Sequence, residues 1–198
     1  MSRKSRNPAQ ASFVENFGTA APAVPFVRQA VSDWRAKDYP GISDTTRRLL
    51  NYWFHTDHKL ANGRPFKYHR AQEEAIKALV YVYEVAKTRT LTDLYQTFIS
   101  RDVAKDVRLP AEDPFARYAV KMATGSGKTK VMALAIAWQY FNAVREGQTD
   151  FASSFLIIAP NVIVFERLAT DFAGGRIFRV DPIIPKEFGI DWDVQTYM

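Results

Sequence analysis

One short stretch limits the possible folds of this chain more than any other, residues 121–138, which read KMATGSGKTKVMALAIAW. An apolar, strand-like run comes before a glycine-rich turn, and a helical pattern comes after it. Gly125 and Gly127 lack the Cβ atom that would keep a phosphate chain away from the backbone N–H groups. A helix that begins at Lys128 and Thr129 directs its N-terminal N–H groups and its dipole to the same place. The stretch therefore predicts a phosphate-binding turn.

The side chains of this turn predict that it binds a nucleoside triphosphate together with a metal ion. The Lys128 ammonium is placed to bridge the β- and γ-phosphates, and the Thr129 hydroxyl to bind Mg²⁺, so these two are the candidate catalytic residues and Thr129 the candidate metal ligand. The first glycine of the G-x-x-x-x-G-K-T pattern falls at Met122, so only the second half matches. A purely structural glycine turn is the alternative. We expect ATP and Mg²⁺ as cofactors, bound by Thr124, Gly125, Ser126, Gly127, Lys128 and Thr129.

The elements around the turn predict an α/β domain. The segment RYAVKMA before the turn and the segment SFLIIAP both suit buried parallel strands, and NVIVFERLATDFAGG after the second strand suits a helix. This order is typical of a parallel sheet with right-handed crossovers. Helical periodicity also predicts upstream helices in VRQAVSDWRAKD, SDTTRRLLNYWF, RAQEEAIKALVYVYEVAK and LTDLYQTFI. We expect a flexible basic arm at 1–26, a helical region at 27–62 and the α/β domain at 63–198.

Charge is distributed unevenly along the chain. Residues 1–70 contain 12 Lys or Arg against 5 Asp or Glu, whereas residues 71–198 contain 15 against 16. Clustered cations gain affinity for phosphates by releasing counterions, so the first third favours DNA as a partner, although an ordinary soluble surface explains the imbalance equally well. The chain contains no cysteine, which excludes disulfides and thiolate metal sites. It lacks a signal peptide or membrane-length apolar run, so we expect a cytoplasmic protein without a membrane partner.

Three motifs resemble those of superfamily 2 helicases and translocases, and most closely those of the DEAD-like helicase subunit of type III and related restriction enzymes. MATGSGKT resembles motif I, FKYHRAQEEAI the glutamine motif and FLIIAPNVIVFERL motif Ia. GISDTTRRLLNYWF is similar to the lead-in of the restriction-associated group, and the likeness extends over residues 38–198. The resemblance implies a RecA-like P-loop NTPase domain behind a helical N-terminal extension.

The resemblance also implies roles for residues outside the turn. Gln72 would read the adenine edge, because a carboxamide both donates and accepts hydrogen bonds, and Phe66 or Tyr68 would stack near the base. An ordinary exposed helix glutamine is the alternative for Gln72. Pro160 and Asn161 of motif Ia would hold one nucleic-acid strand by its phosphates, and a helix cap at Asn161 is a compatible second role.

The family's metal-binding carboxylates come from an Asp-Glu pair at the end of a later strand. No apolar strand ending in Asp-Glu follows Lys128, and the sequence stops at DWDVQTYM. We therefore expect an N-terminal fragment whose parallel sheet is incomplete at the C-terminus, truncated before the Walker B motif.

The resemblance implies that the complete enzyme translocates on DNA with energy from ATP. Its partner would be either a separate chain that contains the remaining helicase and nuclease part, or a methyltransferase subunit. One alternative is a non-catalytic nucleotide- or DNA-binding module that works with a partner chain. The other is a small P-loop kinase, which usually carries this turn within its first few dozen residues, whereas here the turn begins beyond residue 120.

Overall fold

The computed structural model describes residues 23–99 and 116–197. They form two compact units, the first made of the described residues within 1–41 and 77–119, and the second of those within 42–76 and 120–198. Most of the basic arm expected at 1–26 lies outside the described residues, and residues 23–26 are helical. Among the described helices, none is both long and apolar enough to cross a membrane.

The described residues are mainly helical. The α-helices are α1 (Ala23–Ala36), α2 (Asp44–His55), α3 (Arg70–Val80), α4 (Leu91–Phe98), α5 (Lys128–Arg145), α6 (Val162–Phe172) and α7 (Arg176–Val180). A π-helical turn, Tyr81–Val85, continues α3, and 3₁₀ turns occupy Ala173–Gly175 and Lys186–Asp191. The strands β1 (His58–Lys59) and β2 (Pro65–Phe66) form a small antiparallel hairpin with His58 opposite Phe66.

The helices predicted from periodicity are confirmed. α1 to α4 coincide with the four upstream patterns, α5 follows the glycine turn, and α6 forms in the segment NVIVFERLATDFAGG, as expected. The hairpin was not predicted, and its loop contains residue 62, where the expected boundary between the helical region and the α/β domain lies. The division into regions 27–62 and 63–198 stays a prediction.

Neither apolar run that was predicted to be a parallel strand is a strand in the described residues. Residues 117–123 and 154–159 lack regular secondary structure, and the sheet that the structure describes is the antiparallel hairpin alone. A strand exists only where a neighbour completes its backbone hydrogen bonds, and neither run forms such a ladder here. The segment 154–159 nevertheless keeps a two-residue alternation, with Leu156 and Ile158 at 85% and 79% exposure between half-buried neighbours.

Aromatic packing forms the core of the first unit. Trp34 on α1 is buried and donates its indole N–H to the backbone oxygen of Pro40 at 2.9 Å. Its ring meets those of Tyr39 and Tyr81, with centroids 4.9 and 5.3 Å apart. The contacts hold the turn after α1 against the end of that helix.

In the second unit, α2 packs against α5 through a buried polar network. The Thr46 hydroxyl accepts the indole N–H of Trp138 at 3.0 Å and the amide of Asn142 at 2.9 Å. All three side chains are at most 1% exposed, and their polar groups are paired. The network fixes the C-terminal half of α5, the helix whose N-terminus follows the glycine turn.

The chain that follows α7 also packs on α5. Phe188 packs against Phe141 in a tilted arrangement with ring centroids 5.0 Å apart, and both side chains are fully buried. Trp53 on α2 donates its indole N–H to the backbone oxygen of Ile183 at 2.7 Å. These contacts hold the C-terminal part of the second unit beside α5 and α2.

Candidate functional site

The glycine turn has the backbone conformation that its glycines permit. Gly125 and Gly127 have φ angles of +78° and +80°, in the left-handed region that other residues rarely adopt. Gly127 is the N-cap of α5, and its carbonyl accepts the backbone N–H of Lys130 at 3.0 Å. A Cβ at Gly125 would meet no atom within 4 Å, so the turn is open on that side.

The backbone oxygen of Ala123 organises the turn from its N-terminal side. It accepts the Ser126 hydroxyl at 2.7 Å and the Lys128 ammonium at 2.8 Å. Lys128 and Thr124 are exposed, and Thr129 is half-buried. Lys128 is the first residue of α5, and its ammonium group lies over the glycine turn. The N-terminus of a helix favours an anion at this place.

Gln72 lies at the start of α3 and is only 1% exposed. Its Oε1 accepts the backbone N–H of His69 at 2.8 Å, and its Nε2 donates to the backbone oxygen of Ser126 at 3.1 Å. The alternative of an ordinary exposed glutamine is therefore wrong. The predicted adenine contact stays a prediction.

A charged pair, Lys130 and Asp181, lies next to the glycine turn, and Lys130 belongs to the first helical turn of α5. The Lys130 ammonium contacts the Asp181 carboxylate and lies 5.1 Å from the ring centroid of Phe66. A cavity of about 290 Å³ opens beside Gly127 and Thr129, with Asp171, Arg176 and Asp181 among its lining residues. Arg176 is exposed, and its guanidinium lies 3.8 Å from Asp171. A cavity with two carboxylates in its lining therefore adjoins the hydroxyl predicted to bind Mg²⁺.

A larger groove of about 1060 Å³ lies on the hairpin side of the same unit. The half-buried Phe66 lines it together with Tyr52 and Phe178. Tyr68, by contrast, is 5% exposed and donates its hydroxyl to the backbone oxygen of Pro182 at 3.2 Å. Burial, and secondarily the nearby charge of Asp181, raises the pKa of Tyr68 well above the usual tyrosine range. Of the two aromatic residues predicted to stack on a base, only Phe66 is accessible.

The motif Ia residues lie at the start of α6. Asn161 is its N-cap, and Oδ1 accepts the backbone N–H of Val164 at 3.0 Å. The predicted capping role is confirmed. Pro160 and Asn161 are both exposed, as are Val162 and Ile163 after them. This helix end and its apolar flank are accessible to a partner.

Most of the predicted site residues come together. The turn from Thr124 to Thr129 is continuous, and Gln72 reaches it, whereas the side-chain contact of Asn161 is local to α6. Sequence reasoning missed Lys130, Asp181 and Arg176. Lys130 follows the Lys-Thr pair directly, but its partner is 51 residues away and follows no spacing rule.

A family model described as type III restriction enzyme, res subunit, matches residues 65–187, more than half of the 198-residue chain. The matched range contains the glycine turn, Gln72, Asn161 and Asp181. No curated protein and no solved structure matches the chain.

Proposed function

The chain belongs to the family of type III restriction enzyme res subunits, and we propose that its glycine turn is the phosphate-binding loop of this helicase-like, ATP-binding domain. One observation carries the proposal. Two left-handed glycines lead directly into the N-terminus of the 18-residue α5, and the exposed Lys128 ammonium lies over the turn. Backbone N–H groups at a helix N-terminus and a lysine ammonium together suit a polyphosphate.

The residues of the turn fit Mg·ATP in three ways. The open side at Gly125 admits a phosphate close to the backbone. Lys128 donates to a neutral carbonyl, which a phosphate oxygen replaces with a stronger charge-assisted acceptor. Thr129 would supply a hydroxyl ligand for the metal, since it lines the cavity that Asp171 and Asp181 also line. Bound ATP supplies the phosphoanhydride bond whose hydrolysis releases free energy.

We assign the DNA contact to Pro160, Asn161 and the N-terminus of α6. Asn161 fixes the helix end through its cap, and the backbone N–H groups of the exposed residues Val162 and Ile163 suit a phosphate of the nucleic-acid backbone. Such contacts are independent of base sequence, as a translocating motor requires. ATP-driven translocation on DNA, with other subunits of the restriction enzyme as partners, is the proposed activity of the complete enzyme.

Calorimetric titration of the full chain with Mg·ATP tests the nucleotide site. We expect Lys128→Ala to weaken binding at least about tenfold, because it removes a charge-assisted hydrogen bond to phosphate. Lys37→Ala replaces an exposed lysine in the first unit and serves as the matched control. Equal affinity in the wild type and Lys128→Ala would mean that ATP binds elsewhere.

ADP formation and phosphate release, each measured with and without duplex DNA, then test the candidate functions. DNA-stimulated turnover that disappears in Lys128→Ala supports a motor. Nucleotide binding without turnover is expected of a module that works with a partner chain, and equally of a motor domain that lacks the Asp-Glu carboxylates. ADP formation that is independent of DNA, requires a small acceptor and releases no free phosphate favours a kinase.

A further inference from the structure

Gln72 is bound at both ends of its carboxamide, and one end reaches the glycine turn. Its backbone N–H donates to the backbone oxygen of His69 at 2.9 Å, and its Oε1 accepts the backbone N–H of His69 at 2.8 Å. These two hydrogen bonds close the first turn of α3. Its Nε2 donates across 54 residues of sequence to the backbone oxygen of Ser126 at 3.1 Å. The residue thereby connects the start of α3 to the residue between the two glycines.

The same amide fills the space beside Gly127. An ideal Cβ at Gly127 would lie 2.1 Å from Nε2 and 3.3 Å from Cδ of Gln72. The carboxamide is therefore in van der Waals contact with the turn as well as hydrogen-bonded to it. At 1% exposure, it is enclosed rather than presented to a ligand. To meet the edge of a base, it would have to leave a buried, paired position, which costs the desolvation of the groups left behind.

We infer that Gln72 is a positioning residue for the phosphate-binding turn. It holds Ser126 and Gly127 in the conformation that binds phosphate, whichever base the nucleotide carries. The inference rests on the phosphate site proposed above. Its mechanism is preorganisation. With Ser126 held by Gln72 and Gly127 fixed as the N-cap of α5, little conformational freedom is lost when an anion binds.

Three ligands separate a role in positioning the turn from a role in reading the base. The full chain is titrated with Mg·ATP, Mg·GTP and Mg·tripolyphosphate, which has no base. We expect Gln72→Ala to weaken all three by a similar factor of about tenfold, equivalent to one lost hydrogen bond, with the ATP-to-GTP ratio unchanged. Weakening confined to ATP, with tripolyphosphate unaffected, would overturn the inference in favour of base reading.

A second variant separates the contact with Ser126 from the contact with His69. Gln72→Glu keeps an acceptor for the N–H of His69 but cannot, as a carboxylate, donate to the oxygen of Ser126. We expect it to weaken the three ligands as Gln72→Ala does. Wild-type affinity in Gln72→Glu would overturn the inference, because the turn would then not need the donor.

Hydrogen exchange without ligand measures the turn directly. We expect amide exchange in peptides that cover 123–130 to accelerate in both variants, while peptides from α2 stay unchanged. Unchanged exchange around Ser126 would overturn the inference even if a variant lost affinity. If the wild-type chain bound none of the three ligands, the proposed phosphate site would fail together with this inference. Binding by the wild type that both variants retain would remove the inference alone.

Discussion

A Cβ atom on Gly127 would lie 2.1 Å from Nε2 of Gln72, whereas a Cβ on Gly125 would meet nothing within 4 Å. The two glycines have nearly the same left-handed φ, +80° and +78°. Alanine would be strained at either position by about 1–2 kcal/mol. The overlap with Gln72 at Gly127 is the main steric difference between the two positions, so the two residues form a pair for comparison within one turn.

We expect Gly127→Ala to lower the free energy of unfolding by about 1–3 kcal/mol more than Gly125→Ala, because the added methyl group displaces a buried side chain. Denaturant unfolding of the two variants measures the difference. Combining Gly127→Ala with Gln72→Ala removes the overlap, so the double variant is expected to lose less than the sum of the single changes. Equal losses at the two glycines, or strict additivity, would contradict this account.

The parts of the site that are local in sequence could be predicted, and the parts that depend on distant contacts could not. The spacing of Gly125, Gly127 and Lys128 indicates a turn that leads into a helix, because helix N-termini and glycine conformations are set by neighbouring residues. The side-chain position of Gln72 depends on Ser126, 54 residues away, and no spacing pattern indicates it. The likeness to the glutamine motif identified the residue but not the contact that it makes.

The same distinction explains the errors in the fold. The predicted helices form because each completes its own hydrogen bonds and buries one stripe, as α5 does through Leu134, Trp138 and Phe141. A parallel strand depends on partners elsewhere in the chain, so the apolar pattern of 154–159 is compatible with a strand without requiring one. The hairpin had a signal that was available, since a loop of three to five residues that contains glycine, as 60–64 contains Gly63, is typical of a hairpin.

A carboxylate at the end of α5 is expected to make folding depend on pH. Glu146 accepts the backbone N–H of Thr45 at 2.9 Å, at the start of α2. Hydrogen bonds from Thr45 hold the pKa of Glu146 below its usual value. The stabilising contribution is therefore complete above the pKa of the unfolded chain and is lost as the pH falls through the lower, folded-state pKa.

Glu146→Gln tests this dependence, since glutamine keeps an acceptor oxygen and does not titrate. We expect the stability difference between the wild type and Glu146→Gln to shrink between about pH 5 and pH 3, measured by denaturant unfolding at each pH. The effect should be well under about 1 kcal/mol because Glu146 is exposed to solvent. A difference that stayed constant or grew as the pH fell would show that the contact is not linked to this proton.

The basic beginning of the chain is expected to strengthen DNA binding without sequence preference. Neutralising Arg3, Lys4 and Arg6 with glutamine removes three cations of the first third. The plot of log affinity against log salt concentration should become shallower by up to about 2.7, because each lost phosphate contact removes about 0.9 from the slope. Fluorescence anisotropy with a labelled duplex, from low to physiological salt, measures it.

Arg101, Lys105 and Arg108 provide the control for that experiment. They carry the same number of charges, but Asp102 and Asp106 alternate with them, so their local net charge is small. Their neutralisation should change the slope less. Equal changes in the two triple variants would mean that total charge, rather than its position near the N-terminus, determines affinity.

The apolar segment before α6 is expected to drive self-association of the purified chain. Leu156 and Ile158 are 85% and 79% exposed, and residues 154–159 form no strand ladder in the described structure. Apolar side chains next to unpaired backbone groups promote strand pairing between copies. Replacing Leu156 and Ile158 with glutamate should therefore lower the weight-average mass at high concentration in sedimentation equilibrium.

Ser153 and Ser154 allow the charge to be separated from the loss of apolar surface. Both are exposed and precede the apolar run, so Ser153→Glu with Ser154→Glu adds the same two charges while Leu156 and Ile158 remain. If apolar contact drives association, this control variant should keep most of the self-association. If general charge repulsion between chains is the cause, the control should reduce self-association as much as the changes at Leu156 and Ile158 do. Leu156 and Ile158 are already exposed in the wild type. The variant with glutamate at both positions should therefore have a thermal unfolding midpoint within about 2 °C of the wild-type value. A large fall in the midpoint would instead indicate that these side chains pack inside the folded chain.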